Sequence, residues 1–254
     1  MLTTTAGFGV VPARLPSDRP REARELLARD GAVILTGLGT DPGDLAVAAA
    51  LVLGERLRRI FPHRLRRSPE GGTVHLHADS FDIVGDTGGG PERRRDPDED
   101  HVLIQSVTRA ASGGETFVAD AYRFADDCAE RDPELWEFLT GADVDLYGAW
   151  PGIRGLPATP RVARHIEYTR TGRRIVRCND GAVPLHRDPD EDRVRAMLDR
   201  FRERVRELEP SLPRVMLDEG ECLVLDNYRC WHGRDPHEGE RAVQILTVLT
   251  ADAR

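Results

Sequence analysis

A chain of 254 residues, 39% hydrophobic and 31% charged, is long enough to bury a sizeable core and has the balance of an ordinary soluble protein. Its net charge of −8 argues against a nucleic-acid polymer or an anionic membrane as partner. The longest apolar run, Leu45 to Gly54, is too short to span a bilayer. No basic segment followed by an apolar core opens the chain, and Cys128, Cys178, Cys222 and Cys230 form no C-x-x-C pair, so reduced thiols in a cytoplasmic protein are expected.

Taken in chain order, residues 1–20 read as an irregular arm and Glu22 to Arg29 as a short helix. Gly31 to Leu38 is β-rich and ended by glycines, which predicts a buried strand. Asp41 then caps an Ala- and Leu-rich helix to Gly54, with Pro42 at its first position. Thr73 to His77, His101 to Thr108 and Glu115 to Asp120 are β-prone. Gly85 to Asp100, dense in Gly, Pro, Asp and Arg, reads as a mobile loop, either a lid or a solvated insertion. His165 to Asp180 reads as a hairpin turning at Thr171-Gly172. Asp188, Pro189 and Glu191 open a helix whose apolar residues, Val194, Met197, Leu198, Phe201, Val205 and Leu208, form one stripe. Glu221 to Asp226 and Ala242 to Leu249 are the last strands. Many short strands with few peripheral helices predict a mainly β fold, a double-stranded β-helix or jelly roll, as one domain over residues 1–254.

Two distant segments carry the chemistry. One is His75-Leu76-His77-Ala78-Asp79; the other runs from Leu225-Asp226-Asn227 through Trp231-His232-Gly233-Arg234 to Gly239-Glu240-Arg241. Residues i and i+2 of a strand share a face, so His77 and Asp79 can point at one metal, with His232 arriving from a neighbouring strand. Two imidazoles and one carboxylate with open positions opposite suit non-haem iron(II). His75 with His77 would instead make a His-x-His pair. His63, His101, His165, His186 and His237 lie in charged or loop-like stretches and read as surface histidines.

These residues resemble the iron(II)- and 2-oxoglutarate-dependent dioxygenases of the taurine dioxygenase and clavaminate synthase type. The matching segments, in order, are Gly31 to Leu38, His77-Ala78-Asp79, Gly113-Gly114-Glu115-Thr116, Leu225 to Arg234 and Gly239-Glu240-Arg241. They cover roughly residues 30 to 250. The resemblance implies that His77, Asp79 and His232 hold iron(II). It also implies that Arg241 pairs with the distal carboxylate of 2-oxoglutarate and that Thr116 donates a hydroxyl hydrogen bond to it. Arg234 competes for the carboxylate role.

O2 is then the second cosubstrate, and an unactivated C–H bond is hydroxylated. Halogenases of the wider group lack the carboxylate, so Asp79 implies a hydroxylase. Ile245 stands where taurine dioxygenase holds its sulfonate arginine, which argues against taurine. Val176 to Asp180 is similar to a substrate-facing stretch of γ-butyrobetaine hydroxylase. Candidate substrate contacts are His75, Ser80, Phe81, Tyr147, Trp150, Arg154, Arg177, Asn179, Asn227 and Trp231, with Arg93-Arg94-Arg95 in the 85–100 loop. The expected substrate is a small polar metabolite, amino-acid- or nucleotide-like, and the Ala-, Arg- and Gly-rich composition is consistent with bacterial natural-product biosynthesis. Desaturation, cyclisation or epimerisation by the same chemistry remains an alternative, as does a non-catalytic jelly-roll binding protein. Self-association is left open.

Overall fold

The computed structural model describes residues 7–79, 82–86, 91–95, 99–149 and 160–254. In chain order, β1 (Gly9–Val10) and β2 (Ala13–Pro16) precede α1 (Pro20–Asp30), β3 (Ala32–Thr36) and α2 (Pro42–Leu53). Then come β4 (Leu57–Ile60), β5 (Arg64–Gly71), β6 (Val74–His77), β7 (Asp82–Asp86) and β8 (Pro91–Arg95). β9 (His101–Thr108), β10 (Ser112–Gly113) and β11 (Thr116–Asp120) lead to α3 (Ala121–Arg131) and α4 (Pro133–Gly141). The short β12 (Val144–Asp145), β13 (Val162–Ala163), β14 (Ile166–Tyr168) and β15 (Arg174–Val176) follow, then α5 (Glu191–Leu208). β16 (Cys222–Asp226), β17 (Cys230–Arg234) and β18 (His237–Thr250) complete the described elements.

A four-stranded sheet has the order β1-β11-β17-β6. An eight-stranded sheet runs β10-β18-β9-β16-β3-β2, with β4 and β5 also paired to β18. Side-chain alternation sorts their residues into layers. Ala32, Ile34, Val102, Ile104, Leu223, Leu225 and Val243 of the large sheet meet Val118 and Cys230 of the small one, forming the interior of the roll. The large sheet's other face, with Val33, Leu35, Leu103, Val224 and Leu246, packs on α1 and α2. The small sheet's outer face, with Phe117, Ala119 and Trp231, packs on α3, α4 and α5. The protein is a jelly roll with helices on both outer faces.

The α5 stripe is buried at all six expected positions. Its N-cap is Asp190, later than expected, because Asp188 Oδ1 accepts the Asp190 N–H at 2.9 Å and spends its carboxylate on the preceding turn. The hairpin at Gly172 forms between β14 and β15. Other expectations are corrected. Within the supposed irregular arm, β1 pairs antiparallel with β11 and β2 pairs parallel with β3, each adding main-chain hydrogen bonds to a sheet edge. Within the 85–100 stretch, Pro91–Arg95 pairs with Asp82–Asp86 as a hairpin, and Glu99 and Asp100 are buried. His101, His165 and His237 are buried, whereas His63 and His186 are exposed. The four cysteines are free and buried. No helix among the described residues is long and apolar enough to cross a membrane.

Candidate active site

β17 lies between β11 and β6, and its register sets the centre of the site. His232 stands opposite His77 on one side and opposite Val118 on the other. Direct opposition brings the two imidazoles to 4.4 Å between ring centroids. The chain leaves β6 after His77, with the Ala78 N–H donating to Cys178 O at 2.8 Å. Asp79 follows, and one ligand atom from each of His77, Asp79 and His232 lies within 4.8 Å of the others.

Two features suit this cluster to a cation. His77 Nδ1 bonds the His75 carbonyl at 2.9 Å. A carbonyl only accepts, so the neutral ring carries its proton on Nδ1 and presents the Nε2 lone pair. Asp79 Oδ2 and His232 Nδ1 are buried with no hydrogen-bond partner, and buried polar atoms in that condition call for a missing ion or water. Burial, then the neighbouring charge of His77, pushes His232 down to about 3, leaving it a neutral base. Burial would raise Asp79, but contact with His77 and the charge of Arg64 outweigh it and hold the carboxylate well below its ordinary range. Burial likewise opposes the charged form of His77, and the Asp79 contact and His75 carbonyl reverse that, raising it.

Thr116 opens β11 and is buried on the face of Val118. Arg241 shares the interior face of Val243 and Ile245 on β18, opposite Ser68 of β5. Its guanidinium makes no hydrogen bond or ion pair among the described residues. Burial and the nearby positive charge of Arg234 lower it to about 10. Arg234, the rival, is committed to carbonyls: Asp235 O at 2.7 Å and Gly72 O at 2.9 Å. Gly113 and Gly114 both have positive φ, at 69° and 85°. A Cβ at Gly113 would strike Pro236 O at 2.2 Å, and one at Gly114 would meet Arg241 Nε at 3.6 Å. The glycine pair therefore lets the turn close against the Arg241 stem.

The substrate candidates divide. Arg177 and Asn179 line a small cavity with Ala78, Asp79, Leu146, Tyr147 and Cys178. The Arg177 charge is met by Glu167 at 2.9 Å. His75 is held by Glu209 Oε2 at 2.9 Å, while the same carboxylate accepts the Leu76 N–H at 2.8 Å, so it ties β6 to the end of α5. Asn227 spends its amide on backbone, accepting the Asp79 N–H and donating to Asp79 O and Glu99 O. Trp231 points away from His232, as strand alternation requires. It stacks with Phe124 and Phe201 and donates Nε1–H to Val176 O at 2.9 Å. The reading of Trp231 as a pocket residue is thus corrected to core, and Asn227 is committed to backbone; His75 is bonded through Nδ1 and stays exposed. Ser80, Phe81, Trp150 and Arg154 lie outside the described residues, as do the side chains of Arg93, Arg94 and Arg95.

Sequence reading passed over the charge of Arg64 and included Asp180 only as the end of the Val176 to Asp180 stretch. Arg64 of β5 stands opposite Ile245, on the interior face, and its charge acts on both Asp79 and His232. Asp180 follows the cavity-lining Asn179, and its charge acts on His77.

The whole-chain comparisons agree with this geometry. The family model described as "Taurine catabolism dioxygenase TauD, TfdA family" matches residues 4–249. Among curated proteins, none matches the chain at the level of sequence. Among solved structures, an asparagine oxygenase in complex with Fe(II), 3-hydroxyasparagine and succinate is similar at TM-score 0.61 and 15% identity, over 92% of this chain and 78% of that one. AAD-2 in complex with Mn(II) and N-oxalylglycine is similar at TM-score 0.61 and 12% identity, over 96% of both chains. A taurine dioxygenase from Burkholderia xenovorans is similar at TM-score 0.60 and 13% identity, over 93% of this chain and 85% of that one. With the family model spanning nearly the whole chain and the jelly roll in place, the protein belongs to the TauD/TfdA family of iron(II)- and 2-oxoglutarate-dependent dioxygenases.

Proposed function

We propose that this chain, acting as one catalytic domain, hydroxylates an unactivated C–H bond of a small polar metabolite, with amino-acid-like molecules first among the candidates. The observation that carries the reading is the pair of buried, unpartnered atoms Asp79 Oδ2 and His232 Nδ1 beside the Nε2 lone pair of His77. His77, Asp79 and His232 fit iron(II) in donor type and in their unmet bonding capacity. Bound there, iron(II) with 2-oxoglutarate and O2 would supply the oxidant, releasing succinate and CO2.

The protein's own part is placement. Arg241 offers a planar fork of donors to the distal carboxylate of 2-oxoglutarate, and Thr116 contributes a hydroxyl from the facing sheet. The roll's apolar interior excludes water around them. The retained Asp79 fills the position that a halide would need, which supports oxygenation over halogenation. The opposite charges of Arg64 and Asp180 both act on the cluster, which favours a substrate bearing both an anionic and a cationic group.

The test is direct. Anaerobic addition of iron(II) and 2-oxoglutarate to the protein should produce the weak visible charge-transfer absorption of the chelate. Oxygen should then yield succinate, and a panel of amino acids should accelerate its release. Neither absorption nor succinate would sink the oxygenase reading. Succinate release unaffected by zwitterionic compounds would sink the substrate class alone.

A further inference from the structure

The carboxylate of Asp79 is held by little of its own. Oδ2 has no partner, and Oδ1 lies 3.7 Å from His77 Nε2, beyond hydrogen-bond range. Its aim therefore depends on the backbone that carries it, and that backbone lies past the end of β6. One side chain takes over there. Asn227 Oδ1 accepts the Asp79 N–H at 2.9 Å, and Asn227 Nδ2 donates to Asp79 O at 2.9 Å. An acceptor and a donor matched to one residue's N–H and C=O reproduce what a paired strand would supply. The same Nδ2 also donates to Glu99 O at 2.8 Å.

Asn227 is itself rigidly placed. It is buried, its own N–H donates to Asp100 O at 3.0 Å, and Arg173 Nη2 holds the preceding Asp226 at 2.7 Å. Arg173 also grips Asp100 at 2.6 Å, so Asp100 and Asp226 share one half-buried cation. No bonding capacity of the Nδ2 group is left over for a substrate.

We propose that Asn227 is a positioning residue for the metal centre: its amide sets the backbone of Asp79 and ties it to Glu99, joining the residues that flank the 80–98 segment. The inference rests on the reading of His77, Asp79 and His232 as metal ligands. A contact that orients a ligand in this way typically contributes 10–100-fold to metal affinity.

The experiment is a titration of the full-length protein with Co(II), whose d–d absorption reports both affinity and ligand geometry. Asn227→Asp keeps the acceptor for the Asp79 N–H but loses both Nδ2 donations; Asn227→Ser withdraws the amide altogether. Both are expected to weaken Co(II) binding by about 10–100-fold and to shift the d–d bands. A residue that merely stabilised the fold would lower the melting temperature and leave the bands unmoved. Wild-type affinity and spectrum in either folded variant would overturn the proposal, and the near-isosteric Asn227→Asp carries the test if Asn227→Ser does not fold. If the unsubstituted protein fails to bind Co(II), the ligand reading falls and takes this inference with it. Normal binding by the unsubstituted protein and by both variants removes the role of Asn227 alone.

Discussion

Two carboxylates, Asp79 and Asp100, are both held well below the ordinary range, yet their surroundings differ in kind. Asp100 is completely buried, and both its oxygens are used. Oδ1 accepts the Thr250 N–H at 2.9 Å, while Oδ2 accepts Arg173 Nη1 at 2.6 Å and the Thr250 hydroxyl. Asp79 is less buried, but Oδ2 has nothing. The same division separates two arginines. Arg173 bridges Asp100 and Asp226, whereas Arg241 faces the interior without a carboxylate. A depressed pKa alone does not mark a functional group, because structural ion pairs depress it equally. Unmet hydrogen-bonding capacity adds to it where such atoms converge, as at Asp79 and His232; single unpartnered atoms also occur at Gln105, His165, Gln244 and Thr247.

The sharpest way to break this comparison is to exchange the consequences of losing each carboxylate. Asp79→Ala should cut substrate-dependent succinate formation by more than about 100-fold, beyond the upper range for an outer contact of a metal site. It should cost the metal-free protein less stability than the loss of Asp100 does, because Oδ2 makes no hydrogen bond, although the depressed carboxylate still contributes at neutral pH. Asp100→Asn should instead cost about 1.5–3 kcal/mol of folding free energy by removing the charge-assisted hydrogen bond to Arg173, which keeps only Asp226, read from urea denaturation. The pH dependence follows in sign. A carboxylate depressed in the folded state stabilises above its unfolded pKa of about 3.9 and loses that contribution as pH falls further. Wild-type protein should therefore lose stability below about pH 4 more steeply than Asp100→Asn. A variant of Asp79 that unfolds, or one of Asp100 that folds normally, would dissolve the distinction.

Much of the architecture was legible where one face is apolar and the other is not. The α5 stripe reads directly from its spacing, because a helix at the surface of the roll has a single partner layer. β16 is a plain apolar run because the large sheet buries both its faces. β17 was illegible: Cys-Trp-His-Gly-Arg puts Trp231 and Gly233 on the helix-packed face and Cys230, His232 and Arg234 on the other, so it carries no apolar pattern. β5 failed for a related reason. Arg-Leu-Arg-Arg reads as solvated charge, and only its pairing with β18 turns Arg64 inward. α3 and α4 were passed over although Asp120 and Asp132 cap them, their short stripes being masked by acidic and basic neighbours. For the site, residue chemistry nominated His77, Asp79 and His232, but their meeting depends on β6 and β17 being adjacent, a fact of topology. The same blindness explains Trp231 and Asn227: each adjoins or precedes a plausible ligand in sequence, and register turns the one to the core and commits the other to backbone.

The two arginines offer the next test. Arg241→Met removes a charge that burial and Arg234 already disfavour, so the metal-free protein should be as stable as wild type or more so. The Michaelis constant for 2-oxoglutarate should rise by about 10–100-fold, or about 1.4–2.8 kcal/mol, the range for losing charge-assisted hydrogen bonds. Arg173→Met should instead lose folding stability, since it leaves the buried Asp100 and the half-buried Asp226 without their shared cation. A drop in stability for Arg241→Met would place it with the structural arginines.

The smallest effect sits in the turn that supports Arg241. Gly114 has φ of 85°, where an L side chain costs about 1–2 kcal/mol. Its added Cβ would also sit 3.3 Å from His237 Cβ and 3.6 Å from Arg241 Nε. The first contact is tight enough to move β18 locally, and the second is the side chain of Arg241. Gly114→Ala should therefore lower stability by about 1–2 kcal/mol and raise the 2-oxoglutarate Michaelis constant several-fold, less than Arg241→Met does. Gly172→Ala supplies the contrast. Its φ of 84° carries the same backbone strain, but nothing lies within 4 Å of its Cβ and its hairpin is far from β18 in sequence. An equal loss of stability in both variants, with the change in cosubstrate affinity confined to Gly114→Ala, would separate backbone strain from the displacement of Arg241. An unchanged Michaelis constant in Gly114→Ala would mean that Arg241 is not held by this turn.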